Sequence, residues 1–119
     1  MRDSAGLGTD TERAWADFAA YVQAGDDWVT EQLRSLVRVA RTDEVLTTLY
    51  PFQSMNRLCF GHERGGPARD MPCIAVTRSG EFVVLDRTYE SSEGVGPEEV
   101  AVTSSPEEAL RVLERRLRR

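Results

Sequence analysis

The sequence predicts a two-layer α+β domain in which N-terminal helices and a C-terminal helix pack on a three- or four-stranded antiparallel sheet. Three observations carry this expectation. Apolar residues recur at helical spacing through the first part of the chain, they alternate at strand spacing between Arg57 and Arg87, and a helix start, Ser105-Pro106-Glu107-Glu108, closes the pattern.

Residues 1–8 are Gly-rich and polar and are expected to be disordered, leaving 9–119 as one domain. Thr9 and Glu12 have capping-box spacing, so a first helix should begin near Asp10, with Trp15, Phe18 and Val22 on its apolar stripe. Gly25 is its expected stop, because glycine enters the left-handed conformation without steric cost. Asp26 and Asp27 can cap a second helix striped by Val29, Leu33, Leu36, Val37 and Ala40. Arg34, Arg38 and Arg41 share another face, where like charges call for acidic neighbours or open solvent. Thr42, Asp43 and Glu44 open a short third helix, which must end before Pro51 because a residue preceding proline avoids the α region.

The stretch LYPFQSMNRLCF, residues 49–60, joins the helical part to the sheet. Tyr50 and Phe52 flank Pro51 and read as a corner that plugs the core. A fully buried Phe52 truncated to Ala would cost about 3–5 kcal/mol. A first strand is expected over residues 57–61, then a loop through Gly65-Gly66-Pro67. Residues 72–77 and 81–87 should form a hairpin about Ser79-Gly80. A polar loop follows, then a short edge strand over residues 99–103 and a last helix striped by Leu110, Leu113 and Leu117.

At 119 residues the chain has room for one core and no second domain. Its net charge of −5 opposes non-specific attraction to nucleic acid and to anionic membranes, and no such partner is expected. No apolar run approaches a membrane span, and the N-terminus lacks a signal-peptide core, so a cytoplasmic location is expected. All 15 basic residues are Arg, as a GC-rich genome would favour. Residues 86–108 hold seven acids against Arg87 alone, whereas 109–119 hold five Arg against Glu114, so the two stretches are candidates to satisfy each other.

The run LTTLYPFQSMNRLCF lies between a helix and a Gly/Pro loop, with a hairpin and a helix beginning SPEEAL after it. This arrangement resembles a family of small actinobacterial proteins of unknown function labelled natural-product biosynthesis proteins. The likeness spans roughly residues 28–118 and is most specific at Leu49-Tyr50-Pro51-Phe52, Ser54, Leu58 and Phe60. The resemblance implies an association with natural-product biosynthesis but no known reaction, and carries over no catalytic residue.

His62 is the one histidine, so a thiol nucleophile would need it as base, with Cys59 the nearest thiol in sequence. Cys59 falls mid-strand, without the electropositive setting that activates a thiol. Cys59, His62 and Cys73 make at most three metal ligands, and a structural zinc site needs four. No catalytic residue, metal or cofactor is therefore assigned. Strand parity instead puts both thiols on the face opposite Leu58, Phe60, Ile74 and Val76, as free neighbours. Tyr50, Phe52, Ser54 and Arg57 could line a small-molecule pocket, Arg57 acting as a carboxylate or phosphate clamp, with His62 as a further weak ligand candidate. The acidic stretch from Glu90 to Glu99 could dock on a basic partner.

The leading expectation is a non-catalytic accessory or interaction protein associated with natural-product biosynthesis, with a protein partner. The alternatives are an enzyme or small-molecule binder using the Tyr50 to Arg57 region, and an immunity or inhibitor protein using the acidic loop.

Overall fold

The computed structural model describes residues 9–118, so the expected disorder of residues 1–8 lies outside the described residues. Two helices, α1 (Asp10–Ala24) and α2 (Trp28–Ala40), precede five strands: β1 (Tyr50–Ser54), β2 (Arg57–Gly61), β3 (Cys73–Val76), β4 (Phe82–Leu85) and β5 (Glu99–Thr103). Helix α3 (Pro106–Leu117) closes the chain. The strands form one antiparallel meander in the order β1-β2-β3-β4-β5, one strand more than the upper expectation.

Capping chemistry sets each helix start. The Thr9 hydroxyl accepts from the Glu12 N–H at 3.1 Å while the Glu12 carboxylate accepts from the Thr9 N–H at 2.6 Å. Asp27 accepts from the Thr30 N–H at 2.9 Å, and Ser105 from the Glu108 N–H at 3.1 Å.

Gly25 does end α1, but for another reason than the one expected. Its φ of −68° is ordinary extended backbone; glycine is required because a Cβ there would sit 2.4 Å from the Thr30 hydroxyl oxygen. Arg34 reaches back from α2 and donates to the carbonyls of Val22, Gln23 and Gly25 at the end of α1. That member of the arginine row is thus occupied by backbone carbonyls, whereas Arg38 and Arg41 are exposed.

The third helix shrinks to a single 3₁₀ turn at Leu46–Thr48, capped by the Asp43 carboxylate through the N–H groups of Val45 and Leu46. The chain then enters β1 at Tyr50, so residues 50–54 are a strand and not a corner. Ser54 pairs with Arg57 across a two-residue turn at Met55-Asn56. Met55 has a φ of +55° and is 80% exposed.

The helices all lie on one face of the sheet. There Leu58, Phe60, Ile74, Val76 and Val84 are fully buried beneath Trp15, Leu33, Leu36, Val37 and Leu113. The Trp15 indole stacks at a tilt on Phe60, ring centroids 6.2 Å apart, and donates to the Leu49 carbonyl at 2.9 Å. Trp28 is half-buried at the core's margin with the Arg78 guanidinium 4.9 Å above its ring.

Among the described residues the acidic and basic stretches satisfy each other only at Glu108. The ion pairs of α3 run within the helix, from Arg111 and Arg115 to Glu108 and from Arg118 to Glu114. Glu90, Glu93, Glu98 and Glu99 are exposed and make no ion pair among the described residues. None of the described helices is long and apolar enough to cross a membrane.

Candidate functional site

Because cross-strand partners share a face, the register defines what the uncovered side of the sheet carries. One row runs Ser54, Arg57, Ala75, Val83, Val102 through the successive pairings from β1 to β5. The neighbouring row holds Phe52 opposite Cys59, and Cys73 opposite Leu85, which faces Glu99 after a bulge between Val84 and Leu85. Ala75, Val83 and Leu85 are only half-buried, and Val102 is 50% exposed. This face is therefore apolar at its centre with no helix over it.

One end of the face is closed by the chain leaving β4. Thr88 is fully buried, donates its hydroxyl to the Met71 carbonyl at 2.7 Å, and receives an Arg57 guanidinium N–H on its own carbonyl. The N–H groups of Thr88 and Tyr89 both bind the Arg69 carbonyl, and the Arg69 guanidinium lies 5.9 Å from the Tyr89 ring. The Tyr89 hydroxyl reaches Ser54 at 3.4 Å. The acidic residues Glu90, Glu93 and Glu98 then follow on the loop that leads into β5.

Cys59 and Cys73 are fully buried and free under this end of the face. Cys73 donates its thiol to the Arg87 carbonyl at 3.7 Å. Interaction with Cys73, aided by burial, pushes the Cys59 thiol up. Interaction with Cys59, with the nearby Arg57 charge acting alongside it and burial against it, pulls the Cys73 thiol down. The parity expected for the two thiols is the one found.

The residues proposed for a pocket separate into three places. Ser54 and Arg57 share the uncovered face, but the Arg57 guanidinium is tied to Thr88 and is not a free clamp. Phe52 is half-buried on that same face, outside the core cluster, so it is no core plug and its truncation should cost less than a buried ring would. Gly61 is required by the Gly66 carbonyl oxygen, which a Cβ there would meet at 2.4 Å, with the Phe52 ring edge next at 3.0 Å.

Tyr50 turns to the sheet edge, donating its hydroxyl to Asp10 at 2.6 Å, with Arg64 5.6 Å from its ring and also bound to Asp10 at 2.8 Å. Arg64 first, and the Tyr50 hydroxyl second, hold the Asp10 carboxyl well below the usual carboxylate range. Tyr50 and Phe52 line a cleft of about 260 Å³ between α1 and β1, together with Phe18, Tyr21, Asp17 and Arg64. His62 is exposed beyond the far end of β2, about 16 Å along the strand from Arg57 at the usual rise, and borders a shallow depression with Glu63 and Pro67. Among the described residues no three His, Cys, Asp or Glu side chains converge on a metal position.

Thr88, Tyr89, Arg64 and the Val83 and Val102 pair were not singled out in the sequence. Val83 had a readable signal, since Phe82-Val83-Val84-Leu85 is apolar at every position and a strand buried on one side alone would alternate. The contacts of Thr88, Tyr89 and Arg64 are long-range and had none.

A family model described as a family of unknown function (DUF6193) matches residues 10–117, and the chain belongs to that family. No curated protein and no solved structure matches it.

Proposed function

We propose that this member of the family is a small accessory protein, without catalysis of its own, that docks a protein partner on its uncovered sheet face. The observation that carries this reading is the half-buried to exposed apolar row Ala75, Val83 and Val102 on a face that also carries Glu99, opposite Leu85, with Glu90, Glu93 and Glu98 exposed on the loop that leads into β5. An apolar patch with a rim of one charge fits a partner surface that is apolar at its centre and basic at its margin. The setting we propose is a cytoplasmic one in an actinobacterial cell, in service of natural-product biosynthesis. The support for that setting is the resemblance at LYPFQSMNRLCF and the all-Arg basic composition.

The immunity or inhibitor reading uses the same surface, and the exposed acidic loop favours it as the second choice: the partner would then be the enzyme or toxin being blocked. The small-molecule reading rests on the cleft at Tyr50 and Phe52 and not on Arg57.

Capture from lysate of the native producer separates these readings. Wild-type protein, Val102→Arg and a variant with Glu90, Glu93 and Glu98 changed to Gln serve as parallel baits. The docking reading expects one stoichiometric, basic partner on the wild type, lost with Val102→Arg and weakened by the Gln variant and by added salt. Equal capture by all three baits, or no stoichiometric partner on the wild type, contradicts it.

A further inference from the structure

We propose that Cys59 and Cys73 form a redox-active dithiol, a modification site that peroxide closes into an intrachain disulfide across β2 and β3. The geometry is set by the ladder. The Val76 N–H donates to the Asn56 carbonyl at 2.8 Å, making Asn56 and Val76 a hydrogen-bonded pair. Counting inward through Arg57 with Ala75 and Leu58 with Ile74, Cys59 meets Cys73 at a non-hydrogen-bonded position. At such positions Cα atoms lie about 4.5 Å apart and side chains approach most closely, inside the range a disulfide spans.

The ladder also stops there. The next partner of Phe60 would be Pro72, which has no N–H, and the Phe60 carbonyl accepts from Ala68 at 2.9 Å instead. No backbone bond beyond the thiols holds the two strands at a fixed spacing, so they can adjust as the sulfurs draw together.

The surroundings supply the asymmetry that dithiol chemistry needs. Arg57 faces Ala75 across the strands, two residues along each strand from the thiols, and its charge favours a thiolate at the pair. We take Cys73, the thiol pulled down, as the attacking sulfur and Cys59 as the resolving one. In the first step the Cys73 thiolate attacks one peroxide oxygen: an S–O bond forms, the O–O bond breaks, and the departing hydroxide takes up the proton Cys73 released. In the second, Cys59 sulfur attacks the Cys73 sulfenic sulfur, forming S–S and breaking S–O, and the hydroxide that leaves takes the Cys59 proton. Two thiols and one peroxide thus give one disulfide and two waters, the sulfurs oxidised and the peroxide oxygens reduced. Both thiols lie at zero exposure, so peroxide reaches them through local opening of the chain that covers them. The inference does not depend on the docking reading.

The test treats folded wild-type protein with hydrogen peroxide, then unfolds it and alkylates. The expected result is loss of both alkylatable thiols, an intact mass lower by two hydrogens, a cross-linked Cys59–Cys73 peptide, and full recovery with dithiothreitol. Retention of both thiols, oxygen added without cross-linking, or only intermolecular dimers would overturn the proposal. Cys59→Ser and Cys73→Ser assign the roles: a 1,3-diketone probe for sulfenic acid should label Cys73 in the first and leave Cys59 unlabelled in the second. Labelling of Cys59 at the same rate would contradict the assignment. Should either variant fail to fold, the pH profile of wild-type oxidation stands in, rising as the thiolate forms; a flat profile would contradict attack by a thiolate.

Discussion

The two faces of the sheet are drawn from the same five strands and alternate residue by residue, yet one is roofed by helices and the other is not. On the roofed face Leu58, Phe60, Ile74 and Val84 lie at zero exposure, and their burial holds the fold. On the other face Val83, Leu85 and Val102 keep part of their surface in water, although polar residues would cost the fold little there. The contrast separates two roles for apolar residues: those under the helices hold the fold, and those on the uncovered face are the ones the docking proposal assigns to a partner.

Substitutions on the two faces sharpen the contrast. Phe60→Ala should cost about 3–5 kcal/mol in chemical denaturation, since its ring is buried against Trp15. Phe52→Ala, on the half-exposed face, should cost only about 1.5 kcal/mol. Equal costs for the two would erase the distinction between faces. Met55→Gly should stabilise by about 1 kcal/mol, by relieving a left-handed residue that has a side chain, seen as a higher melting temperature. A loss of stability there would mean that the exposed Met55 side chain makes contacts that outweigh the backbone strain. Val102→Arg should change stability by less than about 0.5 kcal/mol, as surface substitutions do.

The edge staple of Asp10, Tyr50 and Arg64 gives the smallest effect, and it depends on pH. Its carboxylate has a depressed pKa in the folded chain, so its contribution is present above the unfolded value near about 3.9 and is lost as pH falls through the folded one. The melting-temperature difference between wild type and Asp10→Asn should be constant from pH 7 down to roughly pH 5 and shrink below roughly pH 4. A difference that persists unchanged in strong acid would show that the staple is not electrostatic.

Much of the fold was legible because its signals are local. The capping box at Thr9 and Glu12, the Ser105-Pro106 start, the Ser79-Gly80 turn and the edge strand at Glu99–Thr103 all appear where short-range chemistry puts them. The hairpin of β1 and β2 was hidden because Met55-Asn56 lacks the glycine that a turn with positive φ usually shows, and Pro51 reads as a breaker, though an edge strand accepts it. Of the site, the thiol pair was readable from strand parity. The fate of Arg57 was not, because its partner Thr88 is 31 residues away and the loop that brings it back has no periodicity.

The most direct test of the division between faces is a hydrogen-exchange footprint of the complex with the captured partner. The account predicts added protection on β4, β5 and the loop from Thr88 to Glu98, with the outward sides of α1 and α2 unchanged. Protection confined to α1 and α2, with β4 and β5 exchanging as in the free protein, would contradict it.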